Sequence, residues 1–80
     1  MRTTDFKTII ASDRLMLVDF YATWCGACRA MDHTLERVAL AMSDIATLLR
    51  IDTSLAENYE IVRQYNIVAV PTLMIFMRGE

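Results

Sequence analysis

Apolar and polar positions along this chain change their period several times, and each change marks an element. Residues 5–11 carry Phe6, Ile9 and Ile10 at helical spacing, with Thr4 or Asp5 as the N-cap, so a short helix is predicted there. Ser12-Asp13-Arg14 reads as a turn. Residues 15–21 are nearly continuously apolar over a strand's length, which predicts a strand covered on both faces, as in a parallel sheet. A helix is expected to open near Cys25 and run to about Met42, with Met31, Leu35, Val38 and Met42 as its apolar stripe. Ser43-Asp44 breaks it, and residues 45–51 form a second strand. Strand–helix–strand order makes a right-handed crossover between parallel strands the default. Ser54 and Glu57 have the spacing of a capping box for a third helix. Leu55, Tyr59 and Val62 are its expected inner stripe, and Asn66 is its stop. Residues 68–72 are a loop, residues 73–77 a last strand, and Arg78-Gly79-Glu80 a turn.

Composition narrows what such a chain does. Eighty residues allow one domain, 1–80. A hydrophobic fraction of 55% excludes a disordered segment and is high for so small a domain. The net charge of −2, with both signs interspersed, leaves no electrostatic footprint for nucleic acid. No apolar run approaches the roughly 20 residues that span a bilayer. The polar start Met1-Arg2-Thr3-Thr4-Asp5-Phe6 lacks the apolar region of a secretory signal, so a cytoplasmic location is expected.

The candidate chemistry begins at Cys25-Gly26-Ala27-Cys28. A disulfide across so short a loop stabilises little through chain entropy, so the pair is expected to react rather than staple. It lies where a strand's carboxyl end meets a helix N-terminus. Free backbone N–H groups and the helix dipole there favour negative charge, hence a Cys25 thiolate, the attacking species in disulfide exchange. Cys28, one turn further in, can attack the mixed disulfide. The competing reading is half of a zinc site, but two further ligands are needed and His33, in the same helix, is the sole histidine. The spacing near a strand–helix–strand pattern favours redox chemistry.

Three further residues stand out. Asp19 interrupts an apolar strand. A buried carboxylate without a partner is costly and resists ionisation, which makes it a candidate proton acceptor for the Cys28 thiol. The alternative is an Asp that reaches solvent. Pro71, the one proline, precedes the last strand, where a cis bond would present the Val70 backbone to an extended substrate. Taken alone it is equally a turn proline. Trp24, next to the first cysteine, is expected on the rim of the site rather than in the core.

Together these segments resemble the thioredoxin family. Val18-Asp19-Phe20-Tyr21-Ala22-Thr23-Trp24-Cys25-Gly26-Ala27-Cys28-Arg29 is similar to its active-site strand and helix start. Ile51-Asp52, Tyr65-Asn66-Ile67, Val70-Pro71-Thr72-Leu73 and Phe76-Met77-Arg78-Gly79-Glu80 follow in the family's order. The resemblance implies an α/β thioredoxin-like fold and a protein-disulfide reductase. Cys25 would be the nucleophile, Cys28 the resolving thiol, Asp19 the buried acid/base and Pro71 a cis-proline facing the cysteines. Trp24, Gly26, Ala27, Val70 and Thr72 would line the groove for a protein disulfide substrate. A flavin-dependent thioredoxin reductase would be the electron donor, and no bound cofactor or metal is implied.

Departures from the family pattern carry their own expectations. Ala27 stands where the family usually has proline, and Leu48 where many members have a lysine near the buried acid. Without that lysine Asp19 should be harder to ionise, and a potential above about −270 mV is expected. The family's first strand and its last strand and helix have no counterpart. The expectation is a truncated three-layer fold around a mixed sheet of about three strands. Residues 45–51 and 73–77 would then be bare edges, open to self-association. Other readings are a disulfide oxidase or isomerase with the same chemistry, and a non-catalytic binding or scaffold module or inactive fragment.

Overall fold

The strand of continuous apolarity is the centre of the molecule. In the computed structural model, which describes residues 1–80, β1 (Leu15–Tyr21) is buried from Met16 to Phe20. It is flanked by β2 (Ala46–Asp52) and β3 (Thr72–Met77) in the order β2-β1-β3. β1 runs parallel to β2, with Asp19 opposite Arg50, and antiparallel to β3, with Val18 opposite Met74. The sheet is therefore mixed and three-stranded, as expected.

Alternation along β1 divides its side chains between two layers. Met16, Val18 and Phe20 point to one face, where they meet Phe6 and Ile10 of α1 (Thr3–Ile10), Ile61 of α3 (Tyr59–Gln64), Ile51 and Phe76. Phe6 is the hub, with ring centroids 6.2 Å from Phe20, 5.9 Å from Phe76 and 5.1 Å from Tyr65. Leu17 and Asp19 point to the other face, toward α2 (Gly26–Ala41). Helices on both faces of the sheet make an α/β three-layer fold.

Several local expectations shift. α1 starts at Thr3, and neither Thr4 nor Asp5 caps it; Arg2 holds the cap position without a side-chain bond. The preceding backbone is drawn in from outside, since the terminal ammonium donates to Asn58 Oδ1 at 2.7 Å and ion-pairs with Glu57 at 3.2 Å. Ser54 does not cap the third helix. Its N–H and hydroxyl both donate to Asp52 Oδ1, at 2.9 and 2.6 Å, so Asp52 folds a turn there instead. A 3₁₀ turn, Ala56–Asn58, follows before α3 begins. This delay rotates the helix relative to the expected stripe. Leu55 and Tyr59 are 45% and 52% exposed, while Asn58 and Ile61 face inward. The stop at Asn66 holds: its φ is +54°, its N–H donates to Arg63 O at 3.2 Å, and Ile67 N–H donates to Val62 O at 2.9 Å. These two bonds are a Schellman motif.

The expected stripe of α2 is only partly covered. Leu35 is buried, Met31 and Met42 are half-buried, and Val38 is exposed. Arg14 ties the far end of this helix to β1. Its guanidinium donates to Ser43 O and Ala46 O, both at 2.7 Å, and to Thr47 Oγ1 at 2.8 Å. Carbonyls after the helix C-terminus are thereby satisfied by a cation, the charge the dipole favours there. Both outer strands are open edges, and Leu73, Ile75 and Met77 of β3 are 44%, 58% and 44% exposed. No helix is long and apolar enough to cross a membrane.

Candidate functional site

The carboxyl end of β1 is held open by two bonds from a distant loop. Thr53 donates its N–H and its hydroxyl to Tyr21 O, at 2.8 and 3.0 Å. The chain then turns through Ala22, Thr23 and Trp24 into α2, with Cys25 N–H on Ala22 O at 3.1 Å. Arg29, from the first turn of the helix, reaches back and donates to Thr23 O at 2.7 Å. That contact locks the turn from the helix side.

Cys25 is the N-cap of α2. Its Sγ accepts the Cys28 N–H at 3.1 Å, filling the place that a serine or aspartate oxygen usually takes. A free helix N–H aimed at sulfur stabilises negative charge on it. Both cysteines are free thiols; Cys25 is 6% exposed and Cys28 2%. Burial pushes the Cys28 thiol up, and its hydrogen bond with Cys25 and the charge of Asp19 push the same way. The Cys25 sulfur thus has a helix N–H aimed at it, while burial pushes the Cys28 thiol up.

Asp19 lies behind the pair, 1% exposed, with neither carboxylate oxygen hydrogen-bonded to protein. It does not reach solvent. Burial raises its carboxyl above the usual carboxylate range; Arg50 pulls it back down, and Asp32 pushes it up. Arg50 corrects an expectation. Leu48 indeed carries no charge, but it sits opposite Leu17, and the cation appears two residues later, opposite Asp19. Arg50 Nε lies 3.9 Å from Asp19 Oδ2. The acid is therefore not without a cation.

The substrate-facing candidates converge only in part. Ala22, Cys25 and Cys28 form one buried cluster, and Val70 packs against it with Tyr21. The Val70–Pro71 peptide is cis, and Thr72 donates to Ala69 O at 2.6 Å, closing the loop before β3. Trp24 is 72% exposed on the rim. It shares an open cleft of about 230 Å³ with Val70, Thr53, Val62, Ile67, Val68 and Ala69. Gly26 and Ala27 face solvent, and a Cβ on Gly26 would meet nothing nearer than Arg29 Nη2 at 4.0 Å. Gly26 is thus open to an approaching chain but is not demanded by backbone strain. No cluster of three or more His, Cys, Asp or Glu side chains is placed to hold a metal. Arg50, Thr53, Arg29 and the 67–69 loop are the residues that sequence reasoning did not single out. Only Arg50 carried a signal, a charge in an apolar strand, and its meaning depended on register.

What two thiols so arranged can exchange is a pair of electrons with a disulfide, and this defines the class: a thiol–disulfide oxidoreductase. Comparison with known proteins agrees. The family profile described as Thioredoxin matches residues 1–80. The chain is 41% identical over 81 residues to a thioredoxin of Alicyclobacillus acidocaldarius subsp. acidocaldarius, covering 99% of this chain and 75% of that protein. It is 33% identical over 75 residues to the bifunctional thioredoxin reductase/thioredoxin of Mycobacterium leprae (strain TN), covering 94% of this chain but 16% of that one. The crystal structure of thioredoxin from Trypanosoma brucei brucei superposes with a TM-score of 0.88 at 26% identity, covering 99% of this chain and 67% of that one. The chain belongs to the thioredoxin family.

Proposed function

We propose that this chain reduces protein disulfides through Cys25 and Cys28, as a single domain spanning residues 1–80. The observation that carries the reading is the Cys28 N–H on Cys25 Sγ at the N-cap of α2. In the first step the Cys25 thiolate attacks one sulfur of the substrate disulfide. The S–S bond breaks, a Cys25–substrate disulfide forms, and the expelled thiolate takes a proton from solvent. In the second step Cys28 gives its proton to the Asp19 carboxylate, and its sulfur attacks Cys25 Sγ. The mixed disulfide breaks, Cys25–Cys28 forms, and the second substrate sulfur leaves as a thiolate that takes a proton from solvent. Two electrons pass from the enzyme dithiol to the substrate.

Trp24, Gly26, Ala27, Val70, Pro71 and Thr72 form the substrate-facing wall in this reading. Their support is the packing of Val70 on the cysteine cluster and the apolar cleft under Trp24. Such a wall suits an extended, partly apolar peptide flanking a disulfide. Electrons return from a thioredoxin reductase. The fusion of a reductase and a thioredoxin in the Mycobacterium leprae relative supports that pairing. The reducing cytoplasm is the compartment where such a cycle runs in this direction. In an insulin assay with dithiothreitol, addition of the chain should shorten the lag before turbidity. A lag equal to that with dithiothreitol alone would overturn the reading.

The exposed β3 edge supports a second statement about partners. Leu73, Ile75 and Met77 line a strand whose outer N–H and C=O groups have no neighbouring strand. The 80-residue chain is accordingly expected to self-associate as its concentration rises. Sedimentation equilibrium checks this, and one monomer mass at every concentration would contradict it.

A further inference from the structure

We propose that Arg50 is a positioning residue for the second half of the exchange, dividing its guanidinium between the buried Asp19 and the surface carboxylates of α2. The inference rests on the reading of Asp19 as the proton acceptor for Cys28. It identifies the cation that faces that acceptor.

Position along β2 aims Arg50. The parallel register sets it directly opposite Asp19 on the face toward α2. Its side chain is 32% exposed, so the stem is covered while the planar head stands at the boundary with solvent. Nε lies 3.9 Å from Asp19 Oδ2, an ion pair outside hydrogen-bond reach. Nη2 lies 3.6 Å from Asp32 Oδ1 and 3.5 Å from Glu36 Oε1. One cation therefore serves three carboxylates, one buried and two on the helix surface.

The remaining neighbours leave Arg50 as the cation on Asp19. On β3 the residue opposite Asp19 is Leu73, which carries no charge. On β1 the next residue of the same face is Tyr21, which supplies no cation. From α2 come Cys28 and Asp32, neither of them cationic. A buried carboxylate with no hydrogen bond depends on such a charge far more than an exposed one does. Asp32 and Glu36 compete for the same guanidinium, and Asp32 also repels Asp19 directly. Surface charge on one face of α2 thereby reaches an acid sealed from solvent. Arg50 touches neither cysteine in this scheme and acts through Asp19.

The two sides of this competition predict shifts of opposite sign, which loosened packing does not produce. The carboxyl carbon of Asp19 is followed by NMR against pH in the reduced full chain. Arg50→Gln should move its titration to higher pH, and Arg50→Lys should restore most of the change. The pair Asp32→Asn and Glu36→Gln, both on the helix surface, should move it to lower pH. Resolution of a preformed Cys25 mixed disulfide, read by stopped flow near neutral pH, should slow on the order of tenfold in Arg50→Gln. It should quicken or hold in the doubly neutralised chain. Shifts of the same sign in both, or no shift in either, would overturn the proposal. If Arg50→Gln fails to fold, the surface pair and Arg50→Lys still decide it. Insulin reduction by the unaltered chain is scored separately. A chain that reduces no disulfide while Asp19 still responds to Arg50 counts against the function and leaves the charge coupling intact. A chain that reduces disulfides with an indifferent Asp19 does the reverse.

Discussion

Replacing Cys25 by serine is expected to bring disulfide reduction down to the rate of dithiothreitol alone, a loss on the order of a thousandfold or more. Serine keeps the fold, since its oxygen can accept the Cys28 N–H as an ordinary N-cap does. It removes the only sulfur of the pair placed to receive that bond, and a neutral hydroxyl does not attack a disulfide. Cys28→Ser should fail differently. Cys25 can still open the substrate disulfide, but nothing resolves the adduct, so one equivalent of substrate should remain attached. Intact mass spectrometry after mixing with an oxidised peptide reads both outcomes: no adduct in Cys25→Ser, a persistent adduct in Cys28→Ser. Thermal melts within a few degrees of the unaltered chain would establish that neither result reflects unfolding. Full turnover by Cys28→Ser would remove Cys28 from the cycle. An adduct on Cys28 in Cys25→Ser would reverse the order of attack.

Legibility in the sequence followed locality. Residues 15–21 are apolar without a break because the strand has helices over both faces and strands on both sides, so its bounds could be read to the residue. The cysteine turn and the stop at Asn66 are likewise written within a few neighbouring residues. Failures began where a distant group decided the local outcome. The start of α1 depends on an ammonium anchored to Asn58 and Glu57. The inner face of α3 depends on Asp52 capturing Ser54, which consumes residues that an early helix start would have used. Arg50 is the clearest case. Its importance lies in facing Asp19 across a strand pair, and a parallel pairing separated by α2 leaves no local trace of register. The cleft beneath Trp24 draws on segments near residues 24, 53, 62 and 67–70, so its existence is a product of topology.

Asp19 joins these threads, because the burial on which its proposed role in proton transfer rests also opposes folding. Asp19→Val is expected to stabilise the chain at pH 7 by about 1–3 kcal/mol, because a buried polar group without hydrogen bonds is removed while the partly exposed Arg50 keeps Asp32 and Glu36 as partners. A ΔΔG of 1 kcal/mol moves the melting temperature of a domain this small by about 4–8 °C. Valine fills the site without the two oxygens that now lack hydrogen bonds, and it suits a strand. The gain should depend on pH in a defined direction. In the fold the carboxyl is held above its usual range by burial, with Arg50 offsetting part of that and Asp32 adding to it. In the unfolded chain it ionises in the ordinary range, near pH 4. Below that range both states keep the proton, and the group's contribution is fully present. Between the ordinary value and the raised one the unfolded chain has already lost its proton while the folded chain retains it. Stability therefore falls as pH rises through this window and levels off once Asp19 ionises in the fold. Thermal melts of both chains from pH 4 to 8 should diverge with rising pH, with the valine chain ahead. Parallel curves would mean that the carboxyl's charge is not what destabilises the fold. On the proposed mechanism the resolving step should also slow in the valine chain, because Cys28, itself buried, loses the carboxylate proposed to take its proton. Arg50 then sits between the two effects: its charge offsets part of the burial that holds the Asp19 carboxyl above its usual range, and so favours the ionised form that the proposed proton transfer needs.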